Sequence, residues 1–404
     1  MTAAALRILY LADIRFPLER ANGIQTMETC HALAARGHYV ELVVRPDTHH
    51  PARDPFAYYG LPHDERLRIQ PAPVQGPAVA RRIGYLSFAA GRVMGAGQAD
   101  VVLTRDLGVA AMLVRLPRAL RPPVVYESHG YAPEVAAALP ELLSTATPPS
   151  ARKLRRLAAR EARVWRMADG YVTITAGLAA DLEARFGSRP QLQVIPDGAR
   201  IPAAAPAAGD GAPRTGNGVL VAYAGHLYAW KGVDLLLEAL ALVPGVRGLV
   251  VGGHAAESDL ARVQTLATTL GVAERVTFTG LVEPARVADL LRSADILVLP
   301  NPRSAISERF TSPLKLFEYM AAGRAIVASD LPAIREILHD EVDALLVPAG
   351  DPAALAAAIG RLAADPAARA RLGTAAAAAA PAFSWERRAA RLEELLSAVV
   401  SPAR

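Results

Sequence analysis

The sequence predicts an α/β protein of two domains, each wound around a parallel sheet, and three observations carry that prediction. At 404 residues the chain outgrows a single core and suits two domains of roughly 200 residues each. Short β-branched runs alternate with helical patterns throughout, as parallel strands joined by helical crossovers require. The alternation breaks once, over 201–218 (IPAAAPAAGDGAPRTGNG), where Pro, Gly and Ala displace bulky apolar side chains. That stretch reads as a linker between a first domain, 1–200, and a second, 219–383. Two lobes facing each other across a ligand cleft are the expected arrangement.

In the first domain strands are expected at 6–12, 39–44, 100–104, 123–127, 170–174 and 192–195. Amphipathic or alanine-rich helices are expected at 24–36, 108–117, 151–167 and 176–186. No strand is expected in residues 45–99. After the linker the strands return near 219–223, 247–251, 275–278, 295–299, 325–328 and 344–347. The tract Ala375–Ala380 is helical by propensity alone. The closing segment, 384–404, contains FSWERRAARLEELLSAVV, an amphipathic helix whose apolar face needs a partner.

Composition narrows the class. A 52% hydrophobic and 21% charged chain is globular rather than disordered. No run reaches the roughly 18 apolar residues of a membrane span. The start, MTAAALRILYLADIR, meets Asp13 and Arg15 too early for a signal peptide and reads as a first strand. One cysteine, Cys30, allows no internal disulfide, so a cytoplasmic setting is expected. The net charge of +5 raises the question of nucleic acid, but the arginines are scattered and only 5% of residues are aromatic, which leaves few stacking platforms. The basic run 151–166, ARKLRRLAAREARVWR, reads best as a solvated helix face. The alternative is weak peripheral contact with an anionic membrane.

Searches for familiar catalytic patterns return little. There is no G-x-x-x-x-G-K-[ST], no G-x-G-x-x-G after a strand and no G-x-S-x-G. The histidines lack metal-ligand spacing apart from the neighbours His49 and His50, which suit a solvent loop.

Four loops at the carboxyl ends of strands remain, where helix N-termini offer amides to anions. Gly23, in Ala21-Asn22-Gly23-Ile24, either lets backbone approach a diphosphate or belongs to a plain helix cap. His129, in Tyr126-Glu127-Ser128-His129-Gly130, either meets a sugar hydroxyl or is structural. Lys231, in the loop from Ala224 through His226 to Gly232, sits at a helix start, where a cation opposes the dipole and calls for an anion nearby. In the fourth loop, Glu308 to Glu318, Ser312 and Pro313 fit the Ncap and N1 positions, leaving the amides of Leu314 and Lys315 free. Glu318, one turn in, can accept hydrogen bonds from two ribose hydroxyls; a surface glutamate is the plainer reading.

Together these residues resemble the retaining glycosyltransferases of family 4, which have the GT-B fold of two Rossmann-like domains. The similarity covers nearly the whole chain, through ANGIQTMETCHALAARGHYVELVV, VVYESHG, VTITAGLAADLEARFG with VIPDG, YAGHLYAWKGVDLLLEAL, VTFTGLV and SPLKLFEYMAAGRAIVASDLPAIREIL. The resemblance implies that Lys231 binds a donor diphosphate, Glu318 holds the ribose and His129 contacts the sugar. Backbone at Thr279, Gly280, Leu281 and Val282 would line the base pocket. The loop of Pro313, Leu314 and Lys315 would touch sugar and phosphate, and Gly23 would approach the phosphates. The closing helix would cross back onto the first domain, giving Trp385 and Leu392 their partner.

Two positions depart from the family pattern. His226 stands where an arginine usually pairs with the lysine five residues on; a histidine charging near pH 6.5 neutralises phosphate only partly. Phe310 stands eight before Glu318, where the family has a second glutamate. That leaves Glu308, or Ser312 with backbone, for the sugar. The implied partners are a UDP- or GDP-linked hexose and an acceptor hydroxyl that no motif specifies and residues 45–99 do not reveal, with no metal or cofactor. A sugar-nucleotide epimerase would need more acid–base groups than His129 and Glu127. A phosphorylase would need a pyridoxal-binding lysine, and none is identifiable. A non-catalytic sugar-nucleotide-binding subunit is the rival that His226 and Phe310 favour.

Overall fold

A computed structural model describes residues 4–95, 99–142, 147–202, 218–254, 258–304, 307–308 and 312–401. Residues 203–217 of the expected linker, Phe310 and Thr311 lie outside them. The chain divides into two compact units. Unit 1 comprises Met1–Ala137, Thr147–Asp197 and Trp385–Arg404; unit 2 comprises Ala138–Ala146 and Gly198–Ser384.

In unit 1, the strands are β1 (Arg7–Arg15), β2 (Tyr39–Arg45), β3 (Leu67–Pro71), β4 (Val101–Thr104), β5 (Val124–Ser128), β6 (Gly170–Thr173) and β7 (Leu192–Val194). The order β3-β2-β1-β4-β5-β6-β7 is parallel throughout. The inner strands bury β-branched and aromatic residues on both faces, while β3 and β7 at the edges are only partly buried. The helices are α1 (Ala21–Ala35), α2 (Pro55–Tyr59), α3 (Ala78–Gly95), α4 (Leu107–Leu113), α5 (Ala132–Leu142, assigned to unit 2 from Ala138 on), α6 (Ala151–Met167) and α7 (Ala176–Phe186). Two differences from the sequence expectation stand out. Residues 45–99, where no strand is expected, hold β3 between α2 and α3. The helix expected at 108–117 starts at Leu107 and ends by Leu113, because Pro117 cannot continue it.

Unit 2 repeats the plan with β8 (Leu220–Ala224), β9 (Arg247–Val251), β10 (Val276–Phe278), β11 (Ile296–Leu299), β12 (Ala325–Asp330) and β13 (Leu345–Pro348), in the parallel order β10-β9-β8-β11-β12-β13. Its helices are α8 (Val233–Leu242), α9 (Ser258–Thr269), α10 (Pro284–Ser293), α11 (Leu314–Ala322), α12 (Pro332–Arg335), α13 (Pro352–Ala364) and α14 (Pro366–Ala379). Strand alternation sorts its core into two faces. Val221 and Tyr223 of β8 join Leu236, Leu240, Ile359 and Leu362 on one face. Ala222 and Ala224 join Leu316, Phe317 and Met320 on the other.

Helix α15 (Trp385–Val400) follows unit 2 in sequence but packs in unit 1. Trp385 and Leu392 are buried, and Gly170 of β6 leaves room for Leu395 and Val399: a methyl there would lie 3.2 Å from Val399. Arg36, the C-cap of α1, pairs with Glu393.

Helix α6 exposes Arg152, Lys153, Arg155, Arg156 and Arg166 while burying Val164 and Trp165. Its inner face also buries Glu161, which accepts hydrogen bonds from Tyr171 Oη at 2.9 Å and the Ala132 amide at 3.3 Å. Burial outweighs those bonds and raises its pKa from 4.5 to about 7. The folded chain thus holds a proton that the unfolded chain releases, and stability falls as pH rises from 4.5 to 7. Glu161→Gln is expected to match the parent at pH 4 and to exceed it by about 2–3 kcal/mol at pH 8. Urea denaturation at the two pH values measures this; an unchanged pH dependence would refute it. Among the described residues no helix is long and apolar enough to cross a membrane, and Cys30 is buried and unpaired.

Candidate functional site

In unit 2 the strand order reverses between β8 and β11, and ligands of open α/β sheets sit beyond the carboxyl ends of the strands at such a point. Three segments converge there: the loop Gly225–Gly232 after β8, the segment from Pro300 after β11, and the start of α11. Gly232 binds the first two together. It takes a left-handed φ of 79°, and a methyl on it would lie 1.8 Å from the Pro300 carbonyl oxygen, so only glycine fits.

Gly232, and not Lys231, caps α8. Lys231 ends a short 3-10 turn (Ala229–Lys231), which corrects its expected position at the helix start. Its Nζ lies 3.6 Å over the Trp230 ring and makes no ion pair with any described residue. Burial lowers its pKa to about 8. His226, Tyr228 and Trp230 stack in a row, with centroids 5.1 and 6.5 Å apart and planes within 9° of parallel. The His226 carbonyl accepts a hydrogen bond from Tyr223 Oη at 2.6 Å.

At α11 the expected cap shifts by one residue. Pro313 is the N-cap and Leu314 the first helical residue, so Ser312 lies outside the helix, with no side-chain cap. The amides of Leu314 and Lys315 still fall in the first turn, and Glu318 is partly exposed between buried Phe317 and Tyr319. Glu308 lies 3.5 Å from the Arg303 guanidinium. At the end of β10, Thr279 Oγ1 and the Gly280 carbonyl both accept from the Gly252 amide, while Leu281 is exposed and Val282 packs on the core. Gly252 itself has no room for a side chain, since a methyl would lie 2.2 Å from the Gly225 carbonyl oxygen.

Unit 1 holds a second cluster beyond β5. Glu127, fully buried, accepts from Gln25 Nε2 at 2.7 Å and meets His129 Nε2 at 2.6 Å through one oxygen. Its other oxygen meets Arg388 of α15 at 2.6 Å. Arg388 also donates to the Ile195 and Pro196 carbonyls, each at 2.8 Å, and lies 4.0 Å from Asp197. Burial alone would raise the Glu127 pKa, but Arg388, His129 and Arg105 outweigh it and hold the carboxyl well below its usual range. Burial and Arg105 lower the His129 pKa against the pull of Glu127, so the ring is neutral at pH 7. Burial raises Asp197. Glu127, His129 and Asp197 bring ligand atoms within 4.8 Å of one another, and the Arg388 guanidinium supplies positive charge to the two carboxylates. His129 engages Glu127 through Nε2.

Gly23 is accounted for by the chain's own packing. A methyl there would lie 2.3 Å from the Leu18 carbonyl oxygen, and the Gly23 amide already donates to Arg20. The Gly23 amide is thus engaged within the loop that opens α1. Arg388, Gln25, Arg105 and Asp197 were not anticipated. Their only sequence signal is charge or amide within otherwise apolar or turn segments.

Residues 23–198 match the glycosyl transferase 4-like domain, and residues 218–365 match the glycosyl transferases group 1 domain. The chain belongs to the family 4 glycosyltransferases. A D-inositol 3-phosphate glycosyltransferase of Xylanimonas cellulosilytica is 31% identical over 245 residues, covering 57% of each chain. The chain thus spans little more than half the length of that relative. Among solved structures, sucrose-phosphate synthase from Thermosynechococcus elongatus superposes with a TM-score of 0.74 at 22% identity, over 96% of this chain and 98% of that one. Anabaena HepE in complex with UDP gives 0.69 at 18% identity, over 97% and 100%. This family 4 chain has the GT-B fold.

Proposed function

We propose that the chain is a retaining glycosyltransferase that moves a hexose-type sugar from a UDP- or GDP-sugar to an acceptor hydroxyl without a metal. The observation that carries this reading is Lys231, a partly buried cation with no ion pair among the described residues, held at the switch point of unit 2. HepE, of the same fold, was solved with UDP and with UDP-glucose, which supports a nucleotide sugar as the ligand. As the bond from the anomeric carbon to the diphosphate breaks, negative charge grows on the leaving oxygens. Lys231 and the first-turn amides of α11 would stabilise it. The acceptor oxygen bonds to the anomeric carbon on the face that the leaving group vacates, and its proton passes to the departing phosphate. Glu318 would hold the ribose, residues 279–282 the base, and His129 a sugar hydroxyl. The exposed basic face of α6 supports a cytoplasmic enzyme with weak contact to an anionic membrane surface.

A thermal-shift comparison of UDP, GDP and ADP tests the reading. One of them, at a hundred times its Kd, is expected to stabilise the protein by about 2.7 kcal/mol. No shift with any of the three would refute it. The anomeric configuration of the product, read by NMR, tests retention.

A further inference from the structure

We infer that the side chain of Lys315, rather than the ring of His226, supplies the second cation that grips the donor diphosphate. This rests on the glycosyltransferase reading above and adds a residue to its site. The sequence directs attention only to the backbone amide of Lys315; the structure shows where its ammonium goes. Lys315 is 8% exposed, and its Nζ has no hydrogen-bond partner among the described residues. Nζ lies 3.8 Å from the centroid of the Tyr223 ring and faces Gly225, where a methyl would stand only 3.2 Å from it. Gly225, at a φ of +133°, therefore leaves open the gap between the ammonium and the β8 loop.

An ammonium so placed is expensive to keep charged without an anion. The described groups around it do not supply one by direct contact. Tyr223 and Tyr319 are neutral, Lys231 repels it, and Glu318, one turn along the same helix, favours its charge without hydrogen-bonding to it. A second orphan stands close in the fold. Asn301, 2% exposed, leaves both amide atoms without a partner among the described residues, one residue past the carbonyl against which Gly232 packs. Three segments thus present Lys231, Lys315 and Asn301 at one switch point, and a diphosphate carries enough oxygens to satisfy all three. His226, by contrast, has its ring stacked on Tyr228.

The arrangement predicts that binding takes up protons. Burial and the Lys231 charge hold Lys315 well below its ordinary pKa in the free protein, and Lys231 sits at about 8. A bound diphosphate reverses both effects, so at pH 8.5 the complex holds more protons than its parts. Isothermal titration of UDP, GDP and ADP, and of their nucleosides, in two buffers of different ionisation heat reads affinity and uptake together. Lys315→Met keeps the stem on Tyr223 and removes the charge, so the free variant is expected to melt no lower than the parent. It is expected to bind the preferred diphosphate about 10- to 100-fold more weakly, with nucleoside affinity unchanged and less proton uptake. Lys231→Met is expected to retain uptake through Lys315, an arm that does not depend on the folding of the first variant. Unchanged diphosphate affinity in Lys315→Met, or no uptake in Lys231→Met, would overturn the inference while leaving the function above intact. A parent that binds none of the three diphosphates would instead refute the function itself.

Discussion

Lys231→Met is expected to lower the rate of sugar transfer by about 10²- to 10³-fold, the usual loss when one preorganised charge is removed from a developing anion. The free protein should lose no stability, because a partly buried ammonium without an ion pair among the described residues gives way to a thioether of similar length. Glu318→Ala, which removes the proposed ribose contact, should act differently, raising the donor KM more than it lowers kcat. The pH dependence follows from the depressed lysine. With a pKa of about 8, Lys231 loses charge as pH rises through that value, so kcat/KM for the donor should decline above pH 8. Steady-state kinetics of the purified variant provide the measurement. Turnover within a few-fold of the parent would remove Lys231 from the site.

Arg388→Met should strongly destabilise unit 1. It leaves Glu127 fully buried with its main counter-charge gone and frees the carbonyls of Ile195 and Pro196. Breaking one side of such a pair costs about 3–5 kcal/mol, which for a domain of this size lowers Tm by roughly 10 °C. The double variant Glu127→Gln with Arg388→Met should recover much of the loss, because no unpaired buried carboxylate then remains at that position. Calorimetry of the three variants decides the matter. A single variant as stable as the parent would show that the pair is dispensable.

The sheets were largely legible because their strands are apolar on both faces, as VVYES and ILVL show, and such runs stand out between helices. Strand β3 was not legible: LRIQP sits at a sheet edge, half-exposed, with too few apolar residues for a period. Helix α3 was blurred by Gly, Ser and Arg within its apolar stripe. The site loops were legible by position, since strand ends predict them. The side-chain pairings were not. Glu127 and Arg388 are 261 residues apart, and nothing local marks them as partners. Lys315 shows the same limit: its helix position gives a face, but only the packing of α11 against β8 shows that the ammonium lands on Tyr223. The cap of α11 was misplaced by one residue, because Ser-Pro suits Ncap–N1 as well as it suits the residues just before a helix.

The placement of α15 also sets an order of assembly. During translation, Glu127 emerges long before Arg388, and the whole of unit 2 is made in between. Until then the nascent first unit has an uncovered flank at Gly170, and Glu127 lacks its main counter-charge. Its closure is a late event, and unit 2 is free to finish folding first although it comes second from the ribosome.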